Sequence, residues 1–137
     1  MHERIELRNE LDLQTATLRS RQFALNAGLD LLASQRLATA VSELTRNVQK
    51  FAGGRGWVSL RQLVEGGHDW LEAQVVDHGP GIEDLHKALE DHYSTSGTLG
   101  LGLPGVKRLV DHFTIESQRG EGTRITVRMR CSRLRRY

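Results

Sequence analysis

Ile5 and Leu7 alternate with charged residues in "RIELR", the period-two pattern of a strand that buries one face. Beyond it the period lengthens. Asp12 is a candidate N-cap for a helix that Gly28 would end. Ser34 can cap a second helix over "QRLATAVSELTRNVQKFA", where Leu37, Val41, Leu44, Val48 and Phe51 recur at helical spacing until Gly53 and Gly54 stop the pattern. "WVSLRQLVE" and "DWLEAQVVD" then read as a hairpin around "GGH". After "HGPGI" the pattern predicts a helix through "EDLHKALEDH", then a glycine-rich loop and a helix "PGVKRLVDH" with Pro104 at its first position. "FTIES" and "TRITVRMRC" close the chain as strands joined by "QRGEG". Helices interleaved with hairpins predict a mixed α/β sandwich rather than a doubly wound parallel sheet.

A chain of 137 residues with 38% hydrophobic and 26% charged positions fits one domain over residues 1–137 with a real core. No apolar run approaches the roughly 18 residues that would cross a bilayer, and "MHERIELRNE" has no apolar signal core. The lone Cys131 and six scattered His residues indicate neither a disulfide framework nor a zinc site, so a cytoplasmic location is expected. The formal charge of +2 gathers in "RMRCSRLRRY". There Ile125, Val127, Met129 and Cys131 alternate with Arg124, Thr126, Arg128 and Arg130, which reads as a half-buried strand with a solvated polar face and a solubilising tail, not as a nucleic-acid site.

The run "GTLGLGLPGVKRL" could be any of several nucleotide loops. As G-x-G-x-x-G it lacks the preceding apolar strand and the acidic residue about 20 positions on. A Walker loop would need Lys directly after Gly105 and a hydroxyl next; Val106 and Arg108 break that spacing. A kinase glycine loop lacks its companion H-R-D and D-F-G. What remains is a glycine turn feeding a helix N-terminus, a place for an anion that Lys107 could assist, or an ordinary loop before a surface helix. Glu43 and Asn47 stack four apart on one helix face, a carboxylate able to take a proton beside an amide oxygen suited to Mg²⁺, with Arg46 and Lys50 adjoining for phosphate. Taken alone, the pair reads more readily as a solvated helix face. Asp77 shares a strand face with Leu71, Ala73 and Val75 and so points inward, where a ligand amine could satisfy it; it also suits the start of the turn "HGPG".

Three motifs stand in order: "ELTRN" at Glu43 to Asn47, "DHGPG" at Asp77 to Gly81 and "GLGLP" at Gly100 to Pro104, followed by "GEGT" at Gly120 to Thr123. Together they resemble the N, G1 and G2 boxes of the GHKL ATPase superfamily. The resemblance implies a two-layer α/β sandwich, the Bergerat ATP-binding fold, with a mixed, mostly antiparallel sheet and helices on one face. It implies ATP and Mg²⁺ as cofactors, Glu43 as catalytic base and Asn47 as metal ligand, with Lys50 beside the phosphates. Asp77 would bind the adenine amine, Thr123 would support the same edge, Gly79 and Gly81 would shape the adenine wall, and Gly100, Leu101 and Gly102 would cradle phosphate beneath the lid "EDLHKALEDHYSTSGT". Among small members, "STSGTLGLGLPGVKRLVDHF", "SELTRN" and "FAGG" look like RsbT-type serine/threonine kinases, the sister group of anti-sigma-factor kinases. That likeness implies transfer of the ATP γ-phosphoryl group to a STAS-domain antagonist protein of a stressosome, and a switch to a phosphatase or other output in stress signalling. An anti-sigma factor sequestering a sigma factor, or an ATP-binding module without transfer, are the alternatives; no sequence feature fixes the oligomeric state.

Overall fold

A computed structural model describes residues 2–52, 55–80 and 102–131, the Phe51 side chain excepted. Strand β1 (His2–Leu7) leads into α1 (Glu10–Asn26) and α2 (Leu31–Phe51). The hairpin β2 (Gly56–Glu65) and β3 (His68–Asp77) follows, and α3 (Gly102–Leu109) precedes β4 (His112–Gln118) and β5 (Gly122–Arg130). The expected helix "EDLHKALEDH" and the glycines at 53 and 54 lie outside the described residues.

The strands form one five-stranded sheet in the order β1-β2-β3-β5-β4. Each described pairing is antiparallel, so the α/β sandwich is as expected while no parallel pair occurs among the described residues. Gly66 and Gly67, at φ 61° and 77°, form the hairpin turn, because a two-residue connection matching strand twist needs two left-handed residues; His68 already belongs to β3. One sheet face carries Ile5, Val58, Val75 and Ile125 in successive register, then Leu60, Ala73 and Val127. Against it lies the α2 stripe: Leu37, Val41, Leu44 and Val48 are all buried, and α1 packs beside α2 through Ala16, Ser20, Phe23 and Ala24. Truncating a fully buried leucine such as Leu37, Leu44 or Leu60 to alanine would cost about 2–5 kcal/mol.

Three expected boundaries shift. Asn9, not Asp12, caps α1: its side chain accepts from Asp12 N (3.0 Å), while Asp12 in the first turn accepts from Arg8 N (2.8 Å). Asp30 caps α2 a turn before Ser34, which is buried inside the helix with no partner for its hydroxyl among the described residues. Pro104 is the third residue of α3, still within the first turn where its missing N–H costs no helical bond. Gly28, at φ 95°, does end α1.

The outer sheet face is less solvated than the alternation in β5 suggests. Arg61, Glu72 and Arg128 stand in register across β2, β3 and β5. Arg61 Nε (2.7 Å) and Arg128 Nε (2.9 Å) both donate to Glu72, whose side chain is 2% exposed, and Arg128 also pairs with Glu65. Burial pushes the Glu72 carboxyl upward, but the two guanidinium bonds outweigh it and hold the group below its ordinary value. Arg128 is thus committed to a structural network.

Candidate functional site

At one end of the sheet a single row of cross-strand partners runs Leu7, Gly56, Asp77, Thr123, Ser117. Each lies two residues from a core-facing position (Ile5, Val58, Val75, Ile125, Ile115), so the row faces the helices. Gly56 leaves a gap in it: a Cβ there would overlap the Val76 carbonyl and come 3.2 Å from Val48 Cγ1, so the end of α2 packs directly on the strand backbone. Gly79 makes the next contact. Its Cβ would lie 2.5 Å from Ala52 Cβ and 2.7 Å from Ala52 Cα, so the segment leaving β3 runs flush against the C-cap of α2.

Asp77 faces the helices and also starts the turn that leaves β3. Its Oδ1 accepts from Gly79 N (2.9 Å), the local bond of a turn-starting aspartate. Its Oδ2 has no partner among the described residues, so the bond that fixes the carboxylate leaves one oxygen for a ligand. Beside it Thr123 is 8% exposed, and its Oγ1 lies 2.8 Å from Ser117 Oγ, which donates to the Gly122 carbonyl at 3.1 Å. Gly122, at φ 93°, presses on Asp77 itself: a Cβ would overlap the Asp77 carbonyl oxygen and stand 3.1 Å from His78 Cα. Gly120 N donates to Pro80 O (2.7 Å), tying the β4–β5 turn to "HGP".

On α2, Glu43, Asn47 and Lys50 follow at spacings of four and three, one face running toward Ala52. Glu43 is 6% exposed, and Arg46 Nη1 sits 3.7 Å from Glu43 Oε2; with Arg46 60% exposed, that pair is weak. Asn47 is half-buried and Lys50 exposed, so the face grades from a sheltered carboxylate to an open cation. Gly102, at φ 68°, opens α3, which packs against α2. The structure therefore gathers Asp77, Gly79 and Thr123 at the sheet end and aligns Glu43, Asn47 and Lys50 on the overlying helix; Gly81, Gly100 and Leu101 lie outside the described residues. Ser117 and Gly56 were not singled out by sequence. Gly122 lies within "GEGT", but its close approach to Asp77 becomes visible only once the strands are paired.

Fit to an adenine nucleotide is favourable on geometry: a fixed carboxylate oxygen aimed at the helix side, a neighbouring hydroxyl, and backbone kept free of Cβ atoms by Gly56, Gly79 and Gly122. A glycine-lined edge with a half-buried carboxylate suits a flat base carrying an amine. The chain belongs to an ATP-binding class of domains, the family of histidine kinase-, DNA gyrase B-, and HSP90-like ATPases, which matches residues 33–133.

Within that family the chain is 42% identical over 121 residues to the serine/threonine-protein kinase RsbT of Bacillus subtilis strain 168, covering 88% of this chain and 90% of that one. It is 31% identical over 94 residues to an anti-sigma F factor of Clostridium acetobutylicum, covering 65% of this chain and 64% of that one. The fold is shared with the RsbU and RsbW domains of a Mycobacterium tuberculosis protein (TM-score 0.66, 20% identity, 95% of this chain and 32% of that one). It is shared too with the mycobacterial sensor histidine kinase MprB (TM-score 0.57, 21% identity, 95% and 97%).

Proposed function

We propose that residues 1–137 form one kinase domain that transfers the γ-phosphoryl group of ATP to a serine or threonine of a STAS-domain antagonist protein and changes partner with that modification. The observation that supports it most is the cross-strand pair of Asp77 and Thr123 beneath an α2 face bearing Glu43, Asn47 and Lys50, in a chain with such extensive identity to RsbT. Asp77 Oδ2 accepts from the adenine amine, Thr123 supports the same edge, and Gly79, with Gly81, walls the base. Asn47 would hold Mg²⁺, and Lys50 lies where a mobile cation meets phosphate. Mg²⁺, when bound, offsets phosphate charge. Gly102 offers its backbone N–H at the start of α3, and Gly100 and Leu101 would join it in cradling phosphate.

Glu43 is the base. Its carboxylate takes the proton of the acceptor hydroxyl as that oxygen bonds to the γ-phosphorus and the bond to the β-γ bridging oxygen breaks, leaving ADP. Burial keeps competing water from Glu43. The acceptor, a STAS-type protein in the cytoplasm, arrives in trans, and a phosphatase or other output protein takes the second interaction. No described helix is long and apolar enough to cross a membrane. The anti-sigma reading draws on the Clostridium acetobutylicum relative, at lower identity and coverage.

The test is to incubate the protein with γ-labelled ATP, Mg²⁺ and a purified STAS-domain protein. Label on a serine or threonine of the STAS protein is expected. A stable sigma-factor complex with no label on the STAS protein would contradict it.

A further inference from the structure

We infer that the outer face of α1 is a docking surface for the α1 of a second copy of this chain, the two helices lying antiparallel about Leu18. The buried side of α1 carries Ala16, Ser20, Phe23 and Ala24. Leu18 lies two residues from Ala16, about 200° around the helix, and so turns away from the core. Leu11 and Leu25 stand seven residues before and after it, and a seven-residue step brings a side chain back to within about 20° of the same line. Leu11 and Leu18 are each 68% exposed, and Leu25 is half-buried. Leu31 and Leu32, exposed at the start of α2, follow the turn at the Leu25 end. A helix apolar on two opposite sides leaves one of them to be covered from outside the chain.

The charges of α1 point to the occupant. Asp12 is spent on Arg8, and Arg19 on Glu3. Glu10 and Arg21 remain exposed, with no ion pair among the described residues. They are eleven residues apart, so they fall within about 20° of each other around the helix and flank the leucine line on one side, the acid at its start and the base beyond its middle. An antiparallel twofold axis at Leu18 sets that leucine against its own counterpart and Leu11 against the partner's Leu25. It also keeps the two charged flanks together, so Glu10 meets the partner's Arg21 on both sides of the axis, with about five residues of helix rise, 7–8 Å, for the two long side chains to span. A parallel copy would carry its charges to the opposite flank, where no such pair forms. The surface is thus complementary to itself, the property a twofold interface requires.

The experiment is sedimentation equilibrium of the purified protein over a concentration series, with the melting temperature of each variant measured alongside. The parent should rise from the mass of one chain, 15.4 kDa, toward twice that value. Leu18→Glu sets two carboxylates against each other on the axis and should weaken the association at least about tenfold; the melting temperature of the dilute protein should hold, because the site is exposed in the single chain. Glu10→Arg brings like charges together on both sides of the axis and should weaken it about three- to tenfold, and Glu10→Arg combined with Arg21→Glu should restore it. A parent that stays at one chain throughout would overturn the inference, and so would association unmoved by Leu18→Glu, which places the contact on another surface. A folded double variant as weak as Glu10→Arg alone would overturn the antiparallel arrangement. None of these outcomes bears on the nucleotide site.

Discussion

Gly120 and Gly122 provide a matched pair of substitutions. Both have positive φ, 83° and 93°. Alanine at either position meets a left-handed backbone costing about 1–2 kcal/mol, offset by about 0.4–1 kcal/mol from restricting the unfolded chain. Around Gly120 a Cβ meets nothing within 4 Å, so Gly120→Ala should lose only about 0.5–1 kcal/mol. Around Gly122 the Cβ overlaps the Asp77 carbonyl oxygen, 3.0 Å from its carbonyl carbon, and these are backbone atoms with no rotamer to change. Relieving that overlap adds about 1–3 kcal/mol, so Gly122→Ala should lose about 1.5–4 kcal/mol in total. At roughly 4 °C per kcal/mol for a domain of this size, thermal melting should fall by about 6–16 °C, against about 4 °C or less for Gly120→Ala. The strand that must yield carries Asp77, so ATP affinity measured by titration should drop about tenfold in Gly122→Ala and stay near the parent value in Gly120→Ala. Equal melting temperatures and equal ATP affinities in the two variants would refute the packing of Gly122 on Asp77.

Glu72 should make stability pH-dependent. Because its carboxyl titrates below its ordinary value of 4.5 in the folded protein, it contributes stability fully present above that value and lost as pH falls through the folded one. Glu72→Gln should lower the unfolding free energy at pH 7 by about 1–2 kcal/mol in urea titrations, a figure discounted because Arg61 is 48% exposed, and should flatten the acid side of the parent's profile; an unchanged profile would contradict the network. Glu43→Gln should leave ATP affinity within about twofold while transfer to the STAS protein falls by about 10² to 10⁴. Transfer at the parent rate would remove Glu43 from the base role.

Much of this was legible in the sequence, for reasons that differ by element. The hairpin could be read because Gly66 and Gly67 are the residues a two-residue turn requires. The α2 stripe could be read because Leu37 to Val48 keep helical spacing, but its start could not: Leu31 and Leu32 begin the helix 66% and 63% exposed, ahead of the point where it meets the core. The stripe therefore placed the cap at Ser34, inside the helix. At α1, Asn9 and Asp12 both bond near the helix start, and composition does not say which is the cap and which the third residue. Asp77 showed its inward face by alternation along one strand. Ser117, Gly122 and the Arg61, Glu72, Arg128 row depend on which strands are neighbours and in what register, and β3 pairs with β5 across an intervening helix and strand, so no local pattern announces them.

The most direct measurement of the central claim is calorimetric titration of ATP with Mg²⁺ into the parent and Asp77→Asn. The carboxylate oxygen left open by the Gly79 bond is the acceptor assigned to the adenine amine, and an amide there presents a partial donor instead. Loss of a charge-assisted hydrogen bond worth about 1.5–3 kcal/mol should weaken ATP at least about tenfold, with the melting temperature of the free protein little changed. ATP binding of parent strength in folded Asp77→Asn would contradict the assignment of the site.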